Sequence, residues 1–293
     1  MASCQKTFCR RFFEASNSLW EISVNDTDFA DLGVQLGQIK IARLNNGKWA
    51  AIFGNGYKRS NPDANPNAKA YLYIVDLATG DLIKRISTNT IGVNGLSEVS
   101  VLDTNNDHSI DSVYAGDLQG NLWKFDLSSS DSSNWGIANN TAGDTKPLFS
   151  ATYPLPNGSS TIDVPQPITV PPTIAPHTNG GYMLLFGTGK YFDSEDSKVL
   201  SGDPIQSFYG IRDNLSAATV KRSDLVSQEV LYESNNFSTG TFRSTSNHTV
   251  DFASKKGWFM NLAPPKVAGQ ALERTGEKVN LQALLYKNKV IFF

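Results

Sequence analysis

The densest oxygen chemistry in the chain lies in one run, Asp103-Thr104-Asn105-Asn106-Asp107-His108-Ser109-Ile110-Asp111. Oxygen-bearing side chains recur at every second position from Asp103 to Asp111. Alternate residues of a tight loop can aim at one point. Calcium is a hard cation that takes roughly six to eight oxygens in a flexible shell. The spacing therefore predicts a Ca2+ site. Asp103, Asn105 and Asp107 donate side-chain oxygens, Ser109 its backbone carbonyl, and Asp111 an oxygen directly or through water. Ile110 turns away and pins the loop to the core. Three carboxylates this close repel one another without a cation. An Asx-rich turn between strands is the competing account.

Two positions separate this run from an EF-hand. His108 stands where that motif has glycine, and Tyr114 where it has a bidentate Glu. His accepts a positive φ better than most residues do. The pattern is that of a loop feeding a strand. Magnesium demands stricter geometry and keeps its waters, so it fits less well.

Other chemistry-bearing candidates fall away. Gly187-Thr188-Gly189-Lys190 lacks P-loop spacing, with Leu184 in place of the first glycine and Tyr191 in place of Ser/Thr, and reads as a strand-end turn. No Gly-x-Ser-x-Gly elbow surrounds any serine. His177 and His248 stand alone in polar loops, and Arg222-Ser223-Asp224 is a charged loop triplet with no binding role assigned. Cys4 and Cys9 sit together near the first residue, without the second pair that a zinc site needs. No catalytic or cofactor-binding residue is expected, and the protein is not expected to be an enzyme.

The elements that must hold the loop read as all-β. Short runs of Val, Ile, Tyr, Phe and Trp alternate with Gly, Asn, Asp and Pro clusters, and no long stretch keeps helical spacing. Asn55–Lys69, Ser128–Pro147 and the Pro-rich Tyr153–Pro176 are expected to be long surface loops. A weak repeat runs through the chain: a buried strand ending in Gly, a loop, then a strand ending near Asp. The units are Trp49–Gly56 with Ala70–Leu77, Asp111–Asp117 with Gly120–Leu127, and Tyr182–Gly189 with Ser207–Asp213. A fainter fourth joins Gly257–Leu262 to Ala283–Tyr286 and Val290–Phe293. Repeats of roughly 50 residues built from short strands predict propeller blades, here a partial β-propeller with quinoprotein-like blades. The repeated Gly is expected where inner strands crowd a central channel. A β-sandwich is the alternative. The final apolar run, Lys289–Phe293, suggests a truncated product.

Composition excludes some function classes. With 26 Lys and Arg against 28 Asp and Glu, the net charge of −2 gives no nucleic-acid footprint. No run of about 18 apolar residues exists to span a membrane as a helix. Basic residues near the start are followed by no apolar stretch, so no secretory signal peptide is read there.

Four strings carry a family resemblance. They are Gly47–Tyr57, Leu72–Gly80, the oxygen-rich loop followed by Tyr114–Leu127, and Phe186–Tyr191. The chain resembles the C-terminal β-propeller of the PilY/PilC type IV pilus biogenesis factors from about Leu19 to Phe293. Residues 1–15 form a segment outside the family, and 16–293 the partial propeller domain. The resemblance implies a pilus, cell-surface, outer-membrane or periplasmic location, and minor pilins and pilus machinery as partners. Host or abiotic surfaces are further partners, through adhesion and twitching motility. The family's calcium loop aligns with Asp103, Asn105, Asp107, Ser109 and Asp111, and its occupancy is tied to opposing pilus retraction. A calcium-dependent quinoprotein dehydrogenase shares the Leu72-Tyr73-Ile74-Val75-Asp76-Leu77-Ala78-Thr79-Gly80 pattern. It usually carries a Trp after Thr-Gly, which Asp81–Ile86 lacks. A pure surface adhesin module is the third alternative.

Overall fold

The computed structural model describes residues 19–33, 37–57, 68–90, 92–141, 143–192, 194–216, 218–236, 240–265, 267, 272–287 and 289–292. The segment 1–15, with Cys4 and Cys9, lies outside the described residues, as does Lys58–Asn67 of the first expected loop. The described chain is all-β, with short 3₁₀ turns and no α-helix among the described residues. No helix among them is long and apolar enough to cross a membrane.

Three sheets follow one another. The first is a four-stranded antiparallel meander of β1 (Lys40–Arg43), β2 (Trp49–Gly54), β3 (Tyr71–Asp76) and β4 (Leu82–Ser87). The second contains β5 (Leu96–Leu102), β6 (Ser112–Asp117) and β7 (Asn121–Asp126), with β8 (Gly136–Ile137) also pairing with β7. A small hairpin of β9 (Asn140–Thr141) and β10 (Asp144–Thr145) follows, and β11 (Phe149–Ser150) then completes the second sheet beside β7. A hairpin of β12 (Thr152–Asn157) and β13 (Ser160–Pro165) leads to the third sheet. That sheet pairs β14 (Thr173–Pro176), β15 (Tyr182–Gly187) and β16 (Ser207–Asp213) in order. The chain then runs through β17 (Leu225–Gln228), the hairpin of β18 (Val230–Asn236) and β19 (Gly240–Thr245), and β20 (Gly257–Asn261). Strand β20 pairs with β16 and takes β17 in parallel on its far side. A last hairpin joins β21 (Leu284–Tyr286) and β22 (Lys289–Ile291).

The middle strands of each sheet are buried on both faces, and the period-2 alternation decides which neighbour each residue meets. Ile52 and Ile74 face the second sheet and pack in one cluster with Val113 and Phe125. Phe53, Tyr73 and Val75 face the other way, onto Phe29 and Leu32 of the segment before β1. Tyr114, Leu122 and Phe149 of the second sheet meet Leu184, Phe186 and Tyr209 of the third. Leu185 and Phe208 on the far face of the third sheet pack with Val279 and Ala283. Each sheet therefore depends on its neighbours, as propeller blades do.

The repeated strand-end Gly has a defined use. A Cβ on Gly54 would stand 2.3 Å from the Ser97 carbonyl oxygen and 2.5 Å from that of Leu96. One on Gly116 would meet Ile168 Cγ2 at 2.3 Å, and one on Gly187 would meet Val279 Cβ at 2.2 Å. The crowding is against segments that follow each strand in the chain. The residue after each Gly is buried and polar, and it accepts the N–H that opens the next strand of its own sheet. Asn55 Oδ1 takes Tyr71 N at 3.0 Å, Asp117 Oδ1 takes Asn121 N at 2.8 Å, and Thr188 Oγ1 takes Ser207 N at 2.9 Å.

Other expectations change. Tyr153–Pro176 is largely strand: Thr152–Asn157 pairs with Ser160–Pro165 over six residues. Pro154 and Pro156 stand at alternate positions, so both missing N–H groups fall on the outward edge, where a hairpin loses no ladder bond. Ser128–Pro147 contains a 3₁₀ turn and three short strands. Gly257–Leu262 does not open a fourth unit. The pairing of Ile211 with Gly257 and Ser207 with Asn261 places it in the third sheet.

Replacing Gly54 by Ala should cost more than about 2 kcal/mol, because two backbone carbonyls cannot yield to a Cβ. Gly136→Ala, with nothing within 4 Å of the new atom, should stay within about 0.5 kcal/mol. Urea melts of the two variants check this contrast.

Candidate metal centre

Residues 103–111 form the connection between β5 and β6, closed by the pairing of Leu102 with Ser112. The loop has an anchored half and an open half. Ile110 is buried in the cluster between the first two sheets, as its apolar side chain in a polar run predicts. Its N–H donates to Arg43 O at 2.9 Å. Asp111 is also buried, and its N–H donates to Leu102 O at 2.9 Å. Asp111 Oδ2 accepts Thr104 N at 2.8 Å and Thr104 Oγ1 at 2.5 Å, while Oδ1 accepts Asn45 Nδ2 at 3.1 Å. The Asn45 amide also donates to the carbonyls of Ile110 and Leu127. One amide in the β1–β2 turn thus gathers three acceptors from the second sheet.

The open half is a staircase of Asx turns. Asp103 Oδ1 accepts Asn105 N at 3.2 Å, Asn105 Oδ1 accepts Asp107 N at 2.8 Å, and Asp107 Oδ1 accepts Ser109 N at 2.8 Å. Each step turns an oxygen toward the backbone two residues on. Asp103 also takes Asn106 N at 2.7 Å and His108 N at 2.8 Å. Asn106 and His108 both adopt left-handed backbone, with φ of 62° and 68°. The sequence placed His108 in that conformation; Asn106 was not anticipated, although Asn is among the residues that tolerate it. Asn105, Asp107 and His108 are exposed, Asp103 is half-buried and Ser109 is buried.

The electrostatics follow from these contacts. Partial desolvation pushes the Asp103 carboxyl up, but the N–H groups of His108, Asn106 and Asn105 outweigh it and hold the carboxyl below its ordinary value. Such a group contributes stability that is present above its unfolded value and is lost as pH falls through the folded one. Asp107 Oδ2 takes Asn105 Nδ2 at 3.2 Å, so the two side chains already meet at one point.

As a donor set the loop is all hard oxygen, the type calcium takes. Asp103, Asn105 and Asp107 lie on its open side. Asp111 faces inward and is committed to Thr104 and Asn45, so in this arrangement it braces the loop. Among the described residues no three His, Cys, Asp or Glu side chains form a group that could hold a metal. Any site here draws on amide and backbone oxygens as well as carboxylates.

Residues other than the expected ligands were less legible. Asn45 and Thr104 carry much of its anchoring, and only the Asn45-Asn46-Gly47 turn signal was visible for the first. Arg222, read as part of a charged loop triplet with no binding role, is half-buried. Its guanidinium lies 3.9 Å over the Phe259 ring and donates to Thr152 O at 3.0 Å and Asn261 Oδ1 at 2.6 Å. His248 is exposed, and His177 is half-buried against Phe252.

Comparison with known proteins adds a family. The model of the PilY1 beta-propeller domain matches residues 12–243. A "Type IV pilus biogenesis factor PilY1 homolog" of Xylella fastidiosa is 36% identical over 292 residues, covering 96% of this chain and 18% of that protein. The "Type IV pilus biogenesis factor PilY1" of Pseudomonas aeruginosa is 35% identical over 273 residues, 87% of this chain and 22% of that protein. The crystal structure of the Pseudomonas aeruginosa PilY1 C-terminal domain is similar with a TM-score of 0.73 at 31% identity, covering 94% of this chain and 58% of that one. The chain spans about a fifth of the length of the curated relatives it matches.

In calcium-free buffer, Asp111→Ala should lower stability by about 1–3 kcal/mol, since it leaves Thr104 and Asn45 donors without their buried acceptor. Asp107→Ala, on the exposed side, should stay within about 0.5 kcal/mol. Urea unfolding in chelator separates the two.

Proposed function

The chain belongs to the PilY1 β-propeller family, and on that premise we propose that it is a non-enzymatic, calcium-binding propeller of a type IV pilus biogenesis factor. The observation that carries the calcium reading is the loop 103–111. Three successive oxygen side chains are stepped along its open face, and its other half is fixed to two sheets. Asp103, Asn105 and Asp107 would hold the cation with side-chain oxygens, Ser109 with its carbonyl, and Asp111 directly or through water. Calcium bound there would supply positive charge beside the Asp103 and Asp107 carboxylates.

The chain's own residues determine what such binding does. Asp103 fixes the turn by accepting the N–H groups of Asn105, Asn106 and His108. Ile110 and Asp111 connect the loop to Arg43 and Asn45 of the first sheet. Tightening the loop would therefore tighten the seam between the first and second sheets and any surface formed there. In a pilus factor this linkage would support assembly against retraction, with minor pilins and pilus machinery as partners and the pilus or outer cell surface as location. Adhesion to host or abiotic surfaces and a part in twitching motility follow from the same reading. The non-enzymatic assignment is supported by the names of the relatives, which are biogenesis factors.

Thermal unfolding in calcium and in chelator tests the assignment. With calcium roughly 100-fold above Kd, binding to the folded state adds about 2.7 kcal/mol, a shift of several degrees in Tm. Asp103→Ala and Asp107→Ala should each abolish the shift. A shift unchanged in both variants, or none in the parent chain, overturns the calcium site.

A further inference from the structure

Far from the calcium loop, a cavity of about 310 Å³ opens between the third sheet and the segment that follows it. One wall is apolar, with Pro165, Val199, Leu200, Pro204, Ile205 and Leu262. Its charges are unevenly matched. Every acidic side chain that borders it is committed: Asp196 to Lys190 at 2.8 Å, Glu195 to Lys198 at 2.6 Å and Glu277 to Arg243 at 2.5 Å. Asp203 accepts the Leu200 N–H at 2.8 Å. Two cations on the same cavity have no carboxylate among the described residues. Arg274 Nη1 donates to Ser201 O at 2.6 Å, and Lys278 Nζ donates to the Asp196 carbonyl. Among the described residues Arg274 and Lys278 thus form no ion pair with a carboxylate, and Asp203 is the one acid of the lining that is held by a backbone N–H alone.

Two buried atoms there also lack partners among the described residues: Arg274 Nε, a donor, and Gln206 Oε1, an acceptor. Gln206 is 8% exposed and lines the cavity. Leaving such atoms unpaired is costly, and a suitable ligand would recover that cost. That ligand must bring an anion for Arg274 and Lys278, an N–H or O–H for Gln206, and an apolar body for the proline- and leucine-lined wall. A free phosphate has no apolar part. A divalent cation would have to compete with the ion pairs that hold three of the four acids.

We propose that this cavity receives the carboxyl-terminal end of a peptide. The terminal carboxylate lies against Arg274 and Lys278, the last amide N–H donates to Gln206 Oε1, and the last side chain rests on the apolar wall. Capture of a terminal carboxylate by fixed donors is a known recognition mode. Binding forms no covalent bond and is independent of the calcium loop.

The test is calorimetric titration of the full chain with a short N-acetylated peptide ending in leucine, as the free acid and as the carboxamide. The free acid should bind at least roughly tenfold more tightly, the scale of one charge-assisted hydrogen bond. Arg274→Met and Gln206→Met should each remove about tenfold of that affinity while the Tm of the chain is retained. Equal binding of acid and carboxamide, or no binding of either at millimolar peptide, overturns the proposal. N-acetyl-leucine binding as tightly as the peptide overturns the peptide assignment. Retained affinity in Arg274→Met overturns the placement of the carboxylate.

Discussion

Close backbone approach between consecutive sheets is the constraint on which the architecture rests. At the end of β2, β6 and β15 a glycine removes the Cβ that would strike the next unit, and the following residue turns a buried polar side chain back to its own sheet. The two requirements are linked. Bringing sheets this close buries the strand-end amide groups, and a buried amide without a partner is costly. Asn55 solves this for both units at once, since its Oδ1 accepts Tyr71 N within its sheet and Leu96 N in the next. Asp117 goes further, accepting Asn94 Nδ2, Asn121 Nδ2 and Trp123 Nε1 as well as backbone N–H groups.

A second device repeats at the ends of strands. Asp76, Asp117, Asp126 and Asp213 each accept the N–H two residues on, from Ala78, Gln119, Ser128 and Leu215. These are Asx turns that stop a strand and reverse the chain. The Gly and Asp marks of the repeat thus have separate physical causes, interface contact for one and chain reversal for the other. Asp213 combines reversal with a cross-sheet role, since it accepts Tyr114 Oη at 2.7 Å and pairs with Lys124 at 2.8 Å from the second sheet.

These causes explain what the sequence reveals and what it hides. Strand positions in the first two sheets were legible because both-face burial leaves unbroken apolar runs such as Tyr71–Val75, and because the Gly and Asp marks are local. The β12–β13 hairpin was hidden because its prolines read as breakers, although only one edge of each strand needs its N–H. The third sheet was misdivided because β20 reaches β16 only after β17 and a hairpin, and no local signal reports a pairing that distant. In the candidate site the oxygen spacing and the φ of His108 are local and were readable. Asn45 and Arg222 act through contacts across sheets, which spacing cannot encode.

The division of the loop into two halves bears on how it could act as a switch. A loop exposed throughout would order around a cation without moving anything else, and a loop buried throughout could not admit one. Here Asn105 and Asp107 face solvent, while Ile110 and Asp111 belong to the seam between two sheets. The rigid link between them is short: Ser109 donates to Asp107 on one side and adjoins Ile110 on the other. Free energy gained at the open face can therefore reach the seam without a path through the core. Because Asn45 ties Asp111 to the strand end at Leu127 as well, the seam would respond as a unit. A ligand can shift an equilibrium only by its differential affinity for the two states. On the proposed calcium reading the anchoring of Asp111 would set that difference, since a loose seam would leave the staircase unsupported.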